Sequence, residues 1–278
     1  MKESDRTLRL DILLVERCPE LTRNRARAEI MAGRVRVNGR ICDKPGTLVN
    51  REAPLELLLP ENPYVSRGGL KLAGALEDLD LDVEHLAVLD IGASTGGFTD
   101  CLLSKGARHV YALDVGHGQL DWRLRRHGQV TVMERFNVRH LQRRHLPEIP
   151  DLATVDVSFI SLKLVLPVLH ELAVAAVLTL VKPQFEAGRV QAGKGRGVIR
   201  DPALHRVILL EIIQAACRAG YCYSGLAASR WPGPRGNREF FLYGRRRGAD
   251  CRCPVNAAEL VDRVVDDAHK DTSNRLVP

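Results

Sequence analysis

The stretch LDIGASTGG, residues 89–97, decides the fold of this chain. An apolar run at 86–91 leads into a turn with three glycines, which is the pattern of a buried strand whose turn lets the backbone approach a ligand. A helical spacing of apolar residues begins at Phe98, and a second apolar segment ends in Asp114. This order is typical of nucleoside-cofactor sites, in which the acid accepts hydrogen bonds from ribose hydroxyls.

The order of the glycines narrows the choice of cofactor. They follow G-x-x-x-G-G rather than G-x-G-x-x-G, so the turn suits S-adenosylmethionine better than the pyrophosphate of a dinucleotide. We therefore predict S-adenosylmethionine as the cofactor. The predicted cofactor-binding residues are Asp90, Gly92, Ser94, Thr95, Gly96, Gly97 and Asp114.

The composition is that of a globular protein with a polyanionic partner. The chain has 278 residues, 45% of them hydrophobic, and a formal net charge of +7. The longest apolar window, 172–181, is too short to span a bilayer, and the charged amino terminus carries no signal peptide. The seven cysteines lack the spacing of a disulfide framework or of a metal site. These features predict a cytoplasmic protein without a metal site and without a membrane role.

Seven apolar segments predict the strands of the main domain. They lie at 87–91, 109–114, 130–133, 152–157, 175–181, 221–228 and 239–243. Helical patterns separate the first six, which predicts a parallel sheet covered on both faces, whereas the last two predict an antiparallel hairpin. The predicted fold is α/β, a seven-stranded Rossmann-like methyltransferase sheet with a small α+β domain at the amino terminus.

The amino-terminal segment combines two helical patterns with many arginines. Apolar spacing predicts helices at 8–17 and 22–32, and Asn38-Gly39 between short apolar segments predicts a hairpin. Between residues 23 and 40 the only acid is Glu29. This clustering predicts an RNA-contacting face. The predicted contact residues are Arg9, Arg23, Arg25, Arg27, Arg34, Arg36 and Arg67.

Four charged residues are predicted to meet at the carboxyl edge of the sheet, where doubly wound folds bind ligands. Asp156 and Lys182 end two strands, Glu239 begins the last, and Lys71 lies on a predicted helix at 70–79. A ribose hydroxyl is a weak nucleophile that must lose its proton as the methyl arrives, so a lysine is useful there. We assign this part to Lys182 and its orientation to Asp156, with Lys71 and Glu239 positioning the nucleotide.

Other interpretations of these segments remain open. Each charged residue, taken alone, is more often a member of a structural salt bridge or a solvated side chain. The glycine-rich loop 185–202 is explained equally well by an ordinary flexible loop and by a lid over phosphates. Trp231 suits either stacking on a base or packing. Methylation of an exocyclic amine or of a pyrimidine carbon is disfavoured, because 156–159 reads DVSF, without the N-P-P-Y pattern or a cysteine nucleophile.

Long motifs in this chain resemble the TlyA family of ribosomal RNA 2′-O-methyltransferases, also labelled hemolysin A-like. The motifs are RLDILLVE (9–16), IMAGRVRVNGR (30–40), YVSRGGLKL (64–72), DIGASTGGFTDCLL (90–103), ALDVGHGQLDW (112–122), DVSFISL (156–162), VKPQFEAGR (181–189), KGRGVIRDP (194–202) and GNREF (236–240). The resemblance implies an S4-type RNA-binding domain, an FtsJ-like methyltransferase domain, and a catalytic tetrad of Lys71, Asp156, Lys182 and Glu239. His117 and the segment 229–231 depart from the family pattern.

The resemblance also implies methylation of a cytidine ribose in ribosomal RNA within ribosomal subunits or ribosomes, with no obligate protein partner. The predicted domains are an S4-type domain at 7–61, a linker at 62–69, a methyltransferase domain at 70–247 and a C-terminal tail at 248–278. Within this tail, a short amphipathic piece at 257–265 precedes a polar end that we expect to be poorly ordered. Two alternatives remain. One is an RNA-binding assembly factor with an inactive methyltransferase fold, and the other is a membrane-lytic hemolysin, which would need an apolar or amphipathic membrane segment.

Overall fold

The computed structural model describes residues 7–19, 21–58, 62–187, 197–248 and 256–270. The chain divides into two units, residues 1–63 and residues 64–278.

The amino-terminal unit combines two helices with short strands. Its elements are β1 (Thr7–Arg9), α1 (Leu10–Arg17), α2 (Arg23–Met31), β2 (Val35–Val37), β3 (Arg40–Ile41), β4 (Leu48–Asn50) and β5 (Leu55–Leu57). Strand β2 lies between β3 and β5, and β1 pairs with β4. The predicted hairpin is confirmed, because Asn38 and Gly39 both take positive φ between β2 and β3, as its tight turn requires.

The predicted first helix begins later than expected. Leu8 belongs to β1 and pairs with Val49, and the helix starts at Leu10. Helical spacing could not reveal this, because the strand depends on backbone hydrogen bonds to a segment about 40 residues away. Leu10, Leu13 and Ile30 then fill the core between the two helices and the strands.

The carboxy-terminal unit contains the predicted seven-stranded sheet. Its strands are β6 (Ala87–Ile91), β7 (His109–Leu113), β8 (Val130–Met133), β9 (Leu152–Val155), β10 (Ala176–Val181), β11 (Tyr221–Ala228) and β12 (Phe240–Arg246). The order across the sheet is β11-β12-β10-β9-β6-β7-β8. Strands β6 to β10 are parallel, and β12 runs antiparallel to both β10 and β11. The fold prediction, including the closing hairpin, is confirmed.

Helices cover both faces of this sheet. They are α3 (Arg67–Asp78), α4 (Gly97–Ser104), α5 (Trp122–Arg125), α6 (Leu162–Glu171), α7 (Pro183–Glu186), α8 (Pro202–Arg218) and α9 (Ala257–Lys270), with short 3-10 turns between strands. Helix α3 begins at Arg67 and not at Leu70, so Gly68 and Gly69 are helical rather than part of a flexible linker. A side chain on Gly69 would collide with the ring of Tyr64.

Helix α9 contains the amphipathic piece predicted at 257–265 and continues through residues 266–270, where a poorly ordered end was expected. Val261 and Val265 are fully buried against the main core, and Arg206 of α8 pairs with Asp262 and Asp266. The amphipathic pattern was visible in the sequence, but the apolar surface that receives it is formed by α8 and β11, which only the folded chain brings together.

Two other observations concern membrane-spanning helices and the state of the cysteines. Within the described residues, no helix is both long and apolar enough to cross a membrane. Cys42 and Cys101 are free thiols, whereas Cys222 is disulfide-bonded, which the prediction from cysteine spacing did not include.

Candidate active site

The glycine turn after β6 lies directly against the end of β9. Gly92 has a φ of 85°, and a Cβ on it would stand 2.3 Å from the carbonyl oxygen of Asp156. Only glycine allows both the backbone conformation and this approach. The turn thereby brings the predicted cofactor segment next to Asp156, one of the four predicted catalytic residues.

Asp114 lies beside this turn, at the end of β7. Its Oδ2 accepts a hydrogen bond from the Ser94 amide at 2.8 Å, and its Oδ1 accepts one from the Gly116 amide at 2.6 Å. These bonds fix the orientation of the carboxylate, and each oxygen retains a lone pair. Asp114 can therefore accept hydrogen bonds from the hydroxyls of a ribose, as the sequence predicted.

Asp90 occupies a different environment from the other predicted cofactor residues. Its side chain is fully buried and accepts hydrogen bonds from Thr99 Oγ1 at 2.6 Å and Thr154 Oγ1 at 3.1 Å. Burial raises its pKa to about 7, and the nearby charge of Asp156 adds to the shift. Asp90 therefore supports the base of the turn from inside the protein and presents no surface to a ligand.

One cavity is lined by most of the predicted catalytic and cofactor-binding residues. Its volume is about 300 Å³. It is lined by all four predicted catalytic residues, by Gly92, Ser94, Thr95 and Gly97 of the turn, and by Arg67. Asp90, Gly96 and Asp114 do not line it. A side chain on Gly96 would collide with Leu124, because this glycine faces the protein interior.

Lys71 and Glu239 form the first of two ion pairs in this cavity. Lys71 Nζ donates to Glu239 Oε2 at 2.6 Å, and Gln184 Nε2 donates to Glu239 Oε1 at 3.3 Å. The side chain of Glu239 has no exposed surface. Gly233 packs against this carboxylate so closely that any side chain there would overlap it.

Lys182 and Asp156 form the second ion pair. Lys182 Nζ lies 2.6 Å from Asp156 Oδ1 and donates to Ser158 Oγ at 3.1 Å. The ion pair lacks hydrogen-bond geometry, so the buried Oδ1 accepts no hydrogen bond among the described residues. The side chains of Lys182 and Asp156 are 12% and 23% exposed, so the pair is open to the cavity on one side. The side chains of Lys182 and Asp156 therefore face the same cavity.

Phe159 is a feature of this site that the sequence analysis missed. Its side chain is 92% exposed, its φ is 66°, and its ring lies 4.9 Å from that of Phe185. A bulky residue rarely adopts this backbone conformation, and an exposed ring gains nothing from burial, so both features indicate a functional constraint. The available signal was that DVSF retains the terminal aromatic of the N-P-P-Y pattern.

Glu186 joins the segments that follow Asp156 and Lys182. It accepts hydrogen bonds from Ser161 Oγ at 2.6 Å and from the Leu162 amide at 2.9 Å. Burial raises the pKa of this carboxyl. Of the predicted lid at 185–202, residues 188–196 lie outside the described part of the chain, and Trp231, 40% exposed, follows β11 beside the cavity-lining Pro232.

The amino-terminal unit neutralises more of its arginines than the sequence suggested. Arg9 and Arg23 both bind the fully buried Asp11, whose pKa falls chiefly through its hydrogen bond from Arg9. Arg34 pairs with Glu29, and Arg36 with Glu56 at 3.6 Å. Arg27 is exposed, and the structure describes no partner for it. The side chain of Arg25 lies outside the described residues.

Comparisons with known proteins agree with this architecture. Residues 64–246 match the model of the FtsJ-like methyltransferase family, and residues 8–54 match the S4 domain. These matches confirm the two predicted domain types and S-adenosylmethionine as the cofactor, and the S4 domain indicates RNA as the substrate class.

Individual relatives extend over nearly the whole chain. A Bacillus subtilis protein, YqxC, named for rRNA methyltransferase activity, is 46% identical and covers 94% of each chain. The 16S/23S rRNA (cytidine-2′-O)-methyltransferase TlyA of Mycobacterium tuberculosis is 45% identical over 86% of this chain and 90% of its own. A solved structure of a hemolysin-named protein from Streptococcus thermophilus has a TM-score of 0.73 at 40% identity, covering 96% of this chain and 98% of that one. The chain thus belongs to the TlyA family, in which an S4 domain precedes an FtsJ-like methyltransferase domain.

Proposed function

We propose that this protein transfers a methyl group from S-adenosylmethionine to the 2′-hydroxyl of a cytidine ribose in ribosomal RNA. The observation that carries the proposal is the convergence of two lysine–carboxylate pairs in one cavity beside the glycine turn. The names of the TlyA relatives supply the acceptor base and the RNA class. Ribosomal RNA as substrate implies action in the cytoplasm on ribosomal subunits or ribosomes.

The residues at the turn fit the cofactor. Ser94, Thr95 and Gly97 line the cavity with little side-chain bulk, and the carboxylate of Asp114 is held next to Ser94. We assign the methionine part of the cofactor to the turn and its ribose to Asp114. Bound S-adenosylmethionine supplies an activated methyl group, so the protein needs mainly to align the acceptor and exclude water.

The second ion pair would handle the acceptor proton. Asp156 orients Lys182, whose Nζ lies 2.6 Å from its Oδ1, and Lys182 can take up the proton in its neutral form or, as an ammonium, stabilise the developing alkoxide. Lys71 and Glu239 would hold the nucleotide in position. Because Glu239 is fully buried and bound by Lys71 and Gln184, it orders this side of the cavity.

Recognition of the base and of the RNA would involve other residues. The exposed ring of Phe159 is placed to stack on an unstacked base, since single-stranded bases commonly bind to aromatic faces. In the amino-terminal unit, Arg27 is exposed and has no partner among the described residues, so it is available to contact phosphates. The ion-paired Arg9, Arg23, Arg34 and Arg36 retain donors for the same purpose. Arg67, which lines the cavity, would contact the substrate there.

The decisive experiment supplies purified small and large ribosomal subunits separately with methyl-labelled S-adenosylmethionine. We expect label on a cytidine ribose, retained after the base is released. A matched reaction with Lys182→Ala should give no label while the variant still binds the subunits. Wild-type protein that binds cofactor and subunits without transferring label would instead support an inactive RNA-binding assembly factor.

A further inference from the structure

A second cavity borders the same β11–β12 connection as the active site. Its volume is about 870 Å³, and Pro232 lines both cavities. Residues 199–200 before α8, the end of β11 with the segment that follows it, and the last turns of α9 form its walls. Helix α9 begins at Ala257, beyond the FtsJ-like match, which ends at residue 246. Part of this cavity is therefore built from a segment outside the family match.

The lining of the second cavity combines an apolar surface with guanidinium groups. The apolar part consists of Ile199, Ala227, Ala228, Val264 and Ala268, and the cations are Arg200, Arg230 and Arg238. A surface of this kind suits a nucleotide, whose base can rest on apolar atoms while its phosphate binds a guanidinium.

The three arginines differ in how far they are engaged. Arg230 is held by Glu77 at 2.8 Å and by Asp78 at 2.6 Å, so its charge is neutralised. Arg238 donates to the carbonyl of Ala268 and thereby fixes the end of α9 as one wall. Arg200 is exposed, and no described residue pairs with it. Arg200 is therefore the cation that is available to an anionic ligand.

The acidic residues in the cavity lining do not neutralise the positive charge of Arg200. Asp78 is committed to Arg230, and Asp267 pairs with Lys270 at 3.4 Å. His269 also lines the cavity, and burial, the largest cause, lowers its pKa, so it is neutral near neutral pH. Arg200 thus remains as a cation in the lining that no described acid neutralises.

We propose that this second cavity binds a nucleotide of the substrate RNA next to the one that is methylated. The proposal rests on the proposed function, because continuity with the active-site cavity through Pro232 identifies the ligand as a neighbouring part of the same strand. The apolar wall contacts the base, and Arg200 contacts the phosphate. Helix α9 therefore contributes to the recognition of sequence or shape around the target.

The first test measures the affinity of the protein for purified ribosomal subunits at several salt concentrations. Arg200→Ala should weaken binding about tenfold and reduce the slope of log K against log salt by about one, as expected for one lost phosphate contact. Arg200→Lys should retain the salt slope. Arg263→Ala, which removes an exposed arginine of α9 that does not line the cavity, is the matched control and should bind like wild type.

The second test fills the cavity without changing its charge. Ala268→Trp should weaken subunit binding to a similar extent with an unchanged salt slope, while the Kd of S-adenosylmethionine and the thermal unfolding midpoint stay at wild-type values. Unchanged affinity in Arg200→Ala or in Ala268→Trp would overturn the proposal. Because binding is measured without turnover, a wild-type protein that transfers no methyl group would defeat the proposed function alone.

Discussion

Lys182 Nζ lies 2.6 Å from Asp156 Oδ1, and that oxygen accepts no hydrogen bond from any described residue. The lysine comes from the end of β10, and the aspartate follows β9, the neighbouring parallel strand. Because Oδ1 is buried against Nζ, the aspartate positions the lysine at the cavity that both side chains line.

Either substitution in this pair should slow the chemical step and leave cofactor binding unchanged. Lys182→Ala should lower kcat by about 10²–10⁴-fold, the usual contribution of a proton-transfer group. Asp156→Asn keeps the shape of the side chain but removes its charge, so we expect a comparable loss in kcat. Titration calorimetry should give a wild-type Kd for S-adenosylmethionine in both variants. Wild-type turnover in Lys182→Ala would exclude this lysine as the base.

The Lys71–Glu239 pair predicts a stability effect that depends on which partner is removed. Because Glu239 has no exposed surface, Lys71→Met leaves a buried carboxylate without its cation and should cost about 3–5 kcal/mol. The double variant Lys71→Met with Glu239→Gln should recover most of this loss, since the unpaired charge is gone. Urea unfolding of the single and double variants checks this, and equal stabilities would show that the pair is not coupled.

Asp90 should make stability fall as the pH rises. Its folded-state pKa is about 7, above the value of 3.8 in the unfolded chain, so the folded protein binds the extra proton between these values and loses stability as it is released. Above about pH 7 the cost is on the order of 4 kcal/mol. Asp90→Asn should therefore raise the unfolding midpoint relative to wild type more at about pH 8 than at about pH 5. A pH-independent difference would contradict the burial argument.

His205 predicts the opposite pH dependence at the contact between α8 and α9. It is fully buried, and its Nδ1 lies 3.1 Å from His269 Nε2. Burial, and secondarily the charge of His269, lowers its pKa to about 4, so the folded protein disfavours the proton that the unfolded chain binds below 6.5. Stability should fall as the pH drops from 6.5 towards 4. His205→Gln should flatten this slope in thermal unfolding, and an identical slope would assign it to another group.

Phe159 should contribute to RNA turnover without stabilising the fold. Its ring is 92% exposed and alanine keeps a Cβ at the same positive φ, so Phe159→Ala should leave the unfolding midpoint unchanged. Loss of stacking on a base is worth about 1–3 kcal/mol, which corresponds to a fall of about 5–150-fold in kcat/KM for the RNA. Phe159→Tyr retains the ring and serves as the control. Equal kcat/KM in Phe159→Ala and wild type would remove the ring from the site.

The local patterns of the sequence were sufficient to predict the sheet and the meeting of four charged residues, which line the cavity: Lys71, Asp156, Lys182 and Glu239. Parallel strands of a doubly wound sheet end at one edge whatever their side chains, so Asp156 and Lys182 were expected at the same edge once both segments were predicted as parallel strands. Likewise, the glycines after β6 predicted a tight turn at this edge, because glycine allows positive φ and a close approach of the backbone. These conclusions depend on periodicity and backbone geometry, which are properties of short segments.

Only the tertiary structure decided which charged side chains are ion-paired or buried and which are exposed. The pairing of Arg9 and Arg23 with Asp11, the burial of Asp90 and the docking of α9 all depend on segments that are distant in the chain. The second cavity has the same origin, since the segment before α8, the end of β11 and α9 each supply part of its wall. The sequence by itself determined the elements and their order, whereas burial and charge neutralisation required their packing, because both depend on surfaces that no single segment contains.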